Sequence, residues 1–468
     1  MGSVVRIMGK TLRNVHKALF FGLIVLLPTQ LGYHFWPEWA GVLGRRVDYL
    51  APTIYLTDIL IGLILLSWII GLVTRMLNYE SGIMNKIRIK TLCSFSIHNS
   101  AFIILPLLFV GFNVFFAGNR PVAIYKWLKV LEFIALGWYI VKTKPSVSLI
   151  SYLLSLTVLY SSLIAIGQFA LQHSIGGPLW WLGERTFSLD TPGIAKFQSC
   201  QLSAVSCQLL LRPYATFPHP NVLGGFLAAT IPLLMASMRQ RVNASAQWLF
   251  RLSLILGTIA LVLTFSRSAI VVGAVAISMT LLFCHSRESG NPVFVLSWIL
   301  GPSPRMTQRV GRLLVFIFCL LALVFGSWFL VQSFQPSDES VVVRQQLNAA
   351  AIKLWQQSPV LGVGLGNFLV ELPKALPSRT VYFLQPVHNI YLLVLAETGV
   401  VGLAVFLWVI WKAFMRFEIR KIRKPFSIYH LAFGIFLLLG LVDHYPLTLQ
   451  QGQLLLTIFL SLSLSRDT

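Results

Sequence analysis

Leu254–Phe283 reads LILGTIALVLTFSRSAIVVGAVAISMTLLF, and Arg267 is the sole charge between Arg251 and Arg287. A charge at the centre of an apolar helix costs roughly 2.5–3.5 kcal/mol on insertion scales. The stretch is too long for one membrane span and about right for two. The economical solution is a helical hairpin with Thr264-Phe265-Ser266-Arg267-Ser268 at its tip. Such a tip sets a permanent cation at a membrane surface instead of inside the hydrocarbon.

The rest of the chain supports that reading. It is 56% hydrophobic and 11% charged, with a mean hydropathy of +0.76. Soluble domains do not have this composition, so an all-α, polytopic membrane protein is expected. The net charge of +22 resembles that of a nucleic-acid binder. However, the Lys and Arg residues fall in short clusters between apolar runs, which is the positive-inside pattern. No nucleic-acid partner is expected.

About twelve spans are predicted, near 17–35, 56–74, 92–116, 124–141, 148–170, 221–238, 248–265, 268–284, 312–331, 387–411, 427–444 and 448–464. Every second join is basic. The clusters are Arg6 to Lys17, Arg75 to Lys90, Lys142 with Lys144, Arg239 with Arg241, Arg287 to Arg312, and Lys412 to Lys424. Both termini are therefore expected in the cytoplasm, and the first span is expected to be retained as an anchor.

The opposite face then carries two long loops, 171–220 and 332–386, together with the Arg267 tip. The expected organisation is a five-span region 1–170, the first loop 171–220, spans six to nine in 221–331, the second loop 332–386, and three spans in 387–468. Long loops between spans tend to carry function. Chemistry on that face has no nucleotide supply, so a group donor must arrive already activated, and a membrane-bound donor fits.

The first loop ends in LRPYATFPHPNVLGGFL, Leu211–Leu227. Pro218 and Pro220 stop any helix before the span, Asn221 suits its N-cap, and Gly224 and Gly225 permit close helix packing. Arg212 is a second cation on the face where cations are scarce. Cys200 and Cys207 lie in the same loop, where an oxidising compartment allows a disulfide. Two unpaired thiols in a short helical turn are the equal alternative.

The second loop holds an amphipathic helical pattern over Arg344–Trp355, then SPVLGVGLGNF, Ser358–Phe368. Its glycines follow no strand and form no phosphate loop. They read as a turn that lets the loop helix lie on the membrane. The loop ends at His388, in HNIYLLVLAETGVVGL, at the start of a span. The helix dipole there disfavours a protonated imidazole, which suits a neutral base. Glu397, nine positions on, points about 180° away and roughly 13 Å deeper on an ideal helix, so it reads as a buried packing or hydrogen-bonding residue.

Secondary candidates are Asp443 and His444, which either orient His388, bind acceptor sugar, or cap a helical hairpin. Arg344 and Arg379 are further loop cations that would touch glycan or phosphate. Trp180 and Trp181 suit sugar stacking or, more commonly, interfacial anchoring. No metal-ligand spacing occurs, and neither metal nor cofactor is expected.

Taken in order, LRPYATFPHPNVLGGFL, TFSRSA, SPVLGVGLGNF and HNIYLLVLAETGVVGL resemble the O-antigen ligase and polymerase superfamily, over roughly 205–445. The first five spans resemble it only in hydropathy. The resemblance implies a bacterial inner-membrane glycosyltransferase of the C type with a periplasmic active site. Such enzymes move a glycan from undecaprenyl diphosphate to an acceptor, which is the lipid A core for ligases and another lipid-linked repeat for polymerases. Relatives glycosylate proteins. By the same resemblance Arg212 and Arg267 match the family's diphosphate-binding arginines, and His388 matches its histidine. A lipid-linked glycan transporter is the competing class, although no internal helix repeat supports it.

Overall fold

The structure, a computed structural model, describes residues 2–80, 101–200, 207–238, 244–285, 339–376, 384–415 and 428–465. The described chain is mostly helical. Among the described residues, five helices are long and apolar enough to cross a membrane: Leu56–Thr74, Val147–Leu171, Pro220–Ser237, Ser245–Leu263 and Ile390–Phe414. The expected span at 312–331 and Arg379 lie outside the described residues. The chain forms two compact units, one of Met1–Ile24, Gly32–Pro145 and Val343–Met415, the other of Val25–Leu31, Ser146–Val342 and Arg416–Thr468.

In the first unit, helix α1 spans Gly2–Val25. It does not run on to residue 35 as expected. Pro28 has no amide proton to continue the helix, and strand β1, Gly32–His34, begins soon after. This strand pairs with β4, Thr53–Tyr55, and between them β2, Gly41–Val42, pairs with β3, Arg45–Arg46. Leu43 and Gly44 carry φ of 50° and 75°, the two left-handed positions of a tight hairpin turn.

Helices α2 (Leu56–Glu80), α3 (Ala101–Phe115) and α4 (Arg120–Thr143) follow. Asn119 caps α4 by accepting from the Val122 amide, and Lys144 ends it in the left-handed conformation. Lys129 ties α4 to α2, reaching Asp58 at 2.6 Å and Glu132 at 3.0 Å.

Helix α5, Glu339–Gln357, confirms the amphipathic pattern. Val343, Leu347, Ala350, Ala351 and Leu354 repeat at helical spacing. They are buried with Val122, Phe368, Leu372, Val387 and Ala396 in one core. The apolar face is thus occupied by protein, which corrects the expectation of a helix laid on lipid.

The glycine-rich turn after it is also part of the core. Helix α6, Phe368–Ala375, leads towards α7, Ile390–Met415, and α7 is kinked at Gly399, where φ is 65° and ψ −169°. Residues 359–364 lie against that kink. Val363 and Gly364 donate to Ala396 O at 2.9 Å and Glu397 O at 3.0 Å, and Val400 N–H donates to Pro359 O at 2.9 Å. The Asn113 side-chain amide donates to Leu361 O at 2.8 Å and Glu397 O at 3.0 Å. A kinked helix leaves backbone groups that must be satisfied locally where water is scarce, and this turn satisfies them.

The second unit is a helical bundle. It comprises α8 (Val147–Leu171), α9 (Pro220–Ser237), α10 (Ala244–Leu263), α11 (Arg267–His285), α12 (Ile428–Leu439), the short α13 (Tyr445–Thr448) and α14 (Gln450–Leu464). Helix α9 is central. Its apolar window is 83% buried, against 33% for that of α10. It packs on α8, α10, α11, α12 and α14.

Small residues set the close crossings. A Cβ on Gly257 of α10 would meet Val158 of α8 at 2.9 Å, and Ser253 of α10 donates to Ser155 O at 2.8 Å. Gly224 faces Ala269, Thr264 and Ser266, while Gly225 faces the Tyr445 ring. The packing role expected for these two glycines holds.

The loop between α8 and α9 contains an antiparallel pair, β5 (Lys196–Cys200) and β6 (Cys207–Leu211), in which Cys200 and Cys207 are register partners. The two cysteines therefore end strands and do not share a helical turn.

Candidate functional site

The second unit assembles a polar site around the start of α9. Its scaffold is the first long loop, organised by two buried side chains. Gln168, near the end of α8, accepts from Tyr214 N–H at 2.9 Å and Ala215 N–H at 2.7 Å. Its own amide donates to Ala215 O at 3.0 Å and to Glu184 at 2.8 Å. Glu184 in turn accepts from the Ile175 and Gly176 amides, both at 2.7 Å. These bonds hold Ala215 at φ 51°, a conformation disfavoured for a residue with a Cβ. Tyr214 accepts from Ala195 N–H at 2.7 Å. Burial pushes the Tyr214 phenol up, against the lowering pull of that bond and of Arg212 and Arg185.

Arg212 emerges from this scaffold, half-buried. Its Nε donates to Thr264 O at 2.7 Å, and its Nη2 donates to Asn221 Oδ1 at 2.7 Å. Thr264 belongs to the hairpin tip. The tip forms as the sequence predicts: α10 ends at Leu263, α11 begins at Arg267, and only Thr264–Ser266 intervene. Phe265 takes φ 49° to make the turn. Its ring stacks on Phe197 with centroids 3.7 Å apart and tilts against Phe169 at 6.1 Å. Arg267 is exposed at the first position of α11. Arg212 and Arg267 are thus attached to one turn, three residues apart on the hairpin side.

Asn221 was expected to cap α9. The cap is His219, whose Nδ1 accepts from the Asn221 backbone amide at 3.1 Å. The Asn221 side chain is used elsewhere. It accepts from Arg212, as above, and its Nδ2 donates to Asp443 Oδ2 at 3.0 Å. Asp443 is buried, and its other oxygen accepts from His444 N–H at 2.8 Å. His444, also buried, contacts Thr448 Oγ1 through Nδ1 at 2.6 Å, and that hydroxyl donates to His444 O at 3.1 Å.

The first turns of α9 and α11 meet here, since Gly224 packs on Ser266 and Ala269. Two helix N-termini and two arginines give this region a positive bias that favours anions, and Asp443 supplies the balancing carboxylate behind Asn221.

His388 and Arg344 belong to the first unit. His388 is half-buried and follows Val387, which is wholly buried in that unit's core. It does not start the helix. Asn389 does so, accepting from Tyr391 N–H at 2.9 Å and Leu392 N–H at 3.1 Å, so His388 stands one residue outside the first turn. Arg344 is half-buried on α5. Glu397 is buried and accepts from Phe368 N–H at 3.2 Å, the hydrogen-bonding role expected of it. Trp180 and Trp181 are exposed on a short 3-10 helix, Gly177–Leu182.

Sequence reasoning missed four participants: the Asn221 side chain, the Thr264 carbonyl, Glu184 and Gln168. A glutamine near the end of an apolar helix was the readable signal for the last of these.

The long apolar helices define a membrane protein. Residues 252–407 match the family described as O-antigen ligase. That segment is about a third of the chain. It contains the hairpin tip, the glycine-rich turn and His388, and stops short of Asp443 and His444. The match supports the O-antigen ligase and polymerase superfamily, and with it a glycosyltransferase of ligase or polymerase type in surface polysaccharide biosynthesis. No curated protein matches the chain significantly.

Proposed function

We propose that the protein is an O-antigen ligase-like enzyme of the inner membrane. It transfers a glycan from undecaprenyl diphosphate to an acceptor hydroxyl, of the lipid A core or a similar glycan or protein, at the periplasmic face. Both termini are cytoplasmic in this reading. The observation that carries it is the attachment of Arg212 and Arg267 to one membrane hairpin turn, between two helix N-termini, in a chain whose 252–407 segment is O-antigen ligase-like.

The chemistry follows from the leaving group. As the bond between the anomeric carbon and the phosphate oxygen breaks, the lipid diphosphate gains negative charge. Arginine stays protonated and offers paired donors to phosphate oxygens. Arg212 and Arg267 stabilise that charge in a partly dry site without a metal ion. The acceptor oxygen attacks the anomeric carbon, and His388 takes the proton it releases. One in-line displacement inverts the anomeric configuration. His444 is a secondary participant on the acceptor side, and Arg344 and Arg379 are candidate glycan contacts from the second loop.

A surface-polysaccharide polymerase shares the donor and the same residues and is the second reading. Purified protein in liposomes, given undecaprenyl-diphosphate-linked oligosaccharide with and without lipid A core, separates the two. Transfer only with the core supports the ligase reading. Chain lengthening with the donor alone replaces it with the polymerase.

A further inference from the structure

Arg212 is held by a chain of hydrogen bonds that runs through one amide to a buried carboxylate. The chain is Thr264 O, Arg212, Asn221, Asp443, His444 N–H, with each link between 2.7 and 3.0 Å. Asn221 sits at its middle. Its two ends have fixed polarity, because a guanidinium only donates and a carboxylate only accepts. The Asn221 oxygen must face Arg212 and its nitrogen must face Asp443. The amide dipole therefore lies along the field from cation to anion, in surroundings where electrostatic bonds are strong.

The consequence for Arg212 is orientational. Nε and Nη2 form the side edge of the guanidinium. Thr264 O and Asn221 Oδ1 take a donor from each, so the plane is fixed by two anchors instead of one. A third anchor is steric. Gly224 and Gly225 follow Asn221 on α9, packed against the hairpin tip and Tyr445, so the backbone that carries Asn221 has no room to shift.

We propose that Asn221 is a positioning residue. It transmits the fixed Asp443 carboxylate to Arg212 and sets the guanidinium in the orientation that grips the lipid diphosphate. This inference rests on the diphosphate-binding role assigned to Arg212 above. It gives Asp443 a different task from the ones its sequence position suggested, since it acts on Arg212 and not on acceptor sugar.

The test is binding of undecaprenyl diphosphate to the full-length protein in nanodiscs, with undecaprenol as the phosphate-free probe. Four proteins are compared: wild type, Asn221→Ala, Arg212→Gln and the double variant, each checked for monodispersity. Asp443→Asn, which keeps the shape of the side chain, is the second route should Asn221→Ala fail to fold. Asn221→Ala is expected to weaken diphosphate binding roughly tenfold, the scale of one lost bond to a charged group. Undecaprenol binding should not change. In the Arg212→Gln background, Asn221→Ala should add little, and Asp443→Asn should follow the same pattern with a smaller loss. Equal losses from Asn221→Ala in both backgrounds, or parallel losses for undecaprenol, would overturn the positioning role and leave the role of Arg212 intact. If Arg212→Gln itself binds diphosphate as the wild type does, the underlying reading falls and this inference falls with it.

Discussion

Gly399→Ala isolates the device that joins the glycine-rich turn to the kinked helix α7. Gly399 has φ 65° and ψ −169°, a region open almost only to glycine, and strain there costs about 1–3 kcal/mol. An added Cβ would also strike the backbone of Val360 and lie 2.6 Å from Leu361 N. These are backbone atoms and cannot swing aside. They belong to the segment that receives the Val400 amide and donates to Ala396 and Glu397. Relieving the clash therefore means breaking one or two of those bonds, at about 1 kcal/mol each. Strain and lost bonds together amount to about 2–5 kcal/mol. The same protein offers a control. A Cβ on Gly71 of α2 meets nothing within 4 Å, so Gly71→Ala should be neutral or slightly stabilising. The assay is the apparent melting temperature and monodisperse yield in detergent. Gly399→Ala should melt well below wild type or fail to accumulate. Equal melting of the Gly399→Ala and Gly71→Ala proteins would refute the argument that the turn and the kink are one unit.

Gly225→Ala should lower the melting temperature, because its Cβ would land on the Tyr445 phenol and overpacking costs about 1–3 kcal/mol. Tyr445→Phe in that background should restore part of the loss, since the ring carbon 2.7 Å away remains too close. Lys129→Ala should destabilise by about 3–5 kcal/mol, as it strands the Asp58 and Glu132 carboxylates without their shared cation. Lys129→Met with Asp58→Asn and Glu132→Gln should recover most of that stability by the same melting assay.

Much of the helical layout was legible because the apolar runs are long and the lone charge at Arg267 forces a turn. The hairpin tip, the packing glycines of α9, the amphipathic pattern of α5 and the buried role of Glu397 all follow from local spacing. What the sequence concealed depends on partners far along the chain. Asn221 has the residue type of a cap, yet His219 takes that place and frees its side chain for Asp443, 222 positions away. The hairpin at Leu43–Gly44 needs a leucine at positive φ, which no propensity favours. The Ser358–Phe368 glycines look like a surface turn because their close neighbours are far along the chain: Gly362 meets the α7 backbone, Gly364 meets Ala117 and Gly366 meets Lys126. Cys200 and Cys207 sit in a β-pair whose register no local pattern announced.

The most direct measurement is the release of undecaprenyl diphosphate, with glycan appearing on the acceptor, by purified protein in liposomes containing a chelator. The account predicts release in step with acceptor glycosylation, inversion at the anomeric carbon, and loss of both with His388→Ala or Arg267→Ala in folded protein. Full activity in either variant would contradict the assigned roles. If no transfer occurs while labelled lipid-linked glycan crosses the bilayer, the protein is a transporter and the enzymatic account is wrong.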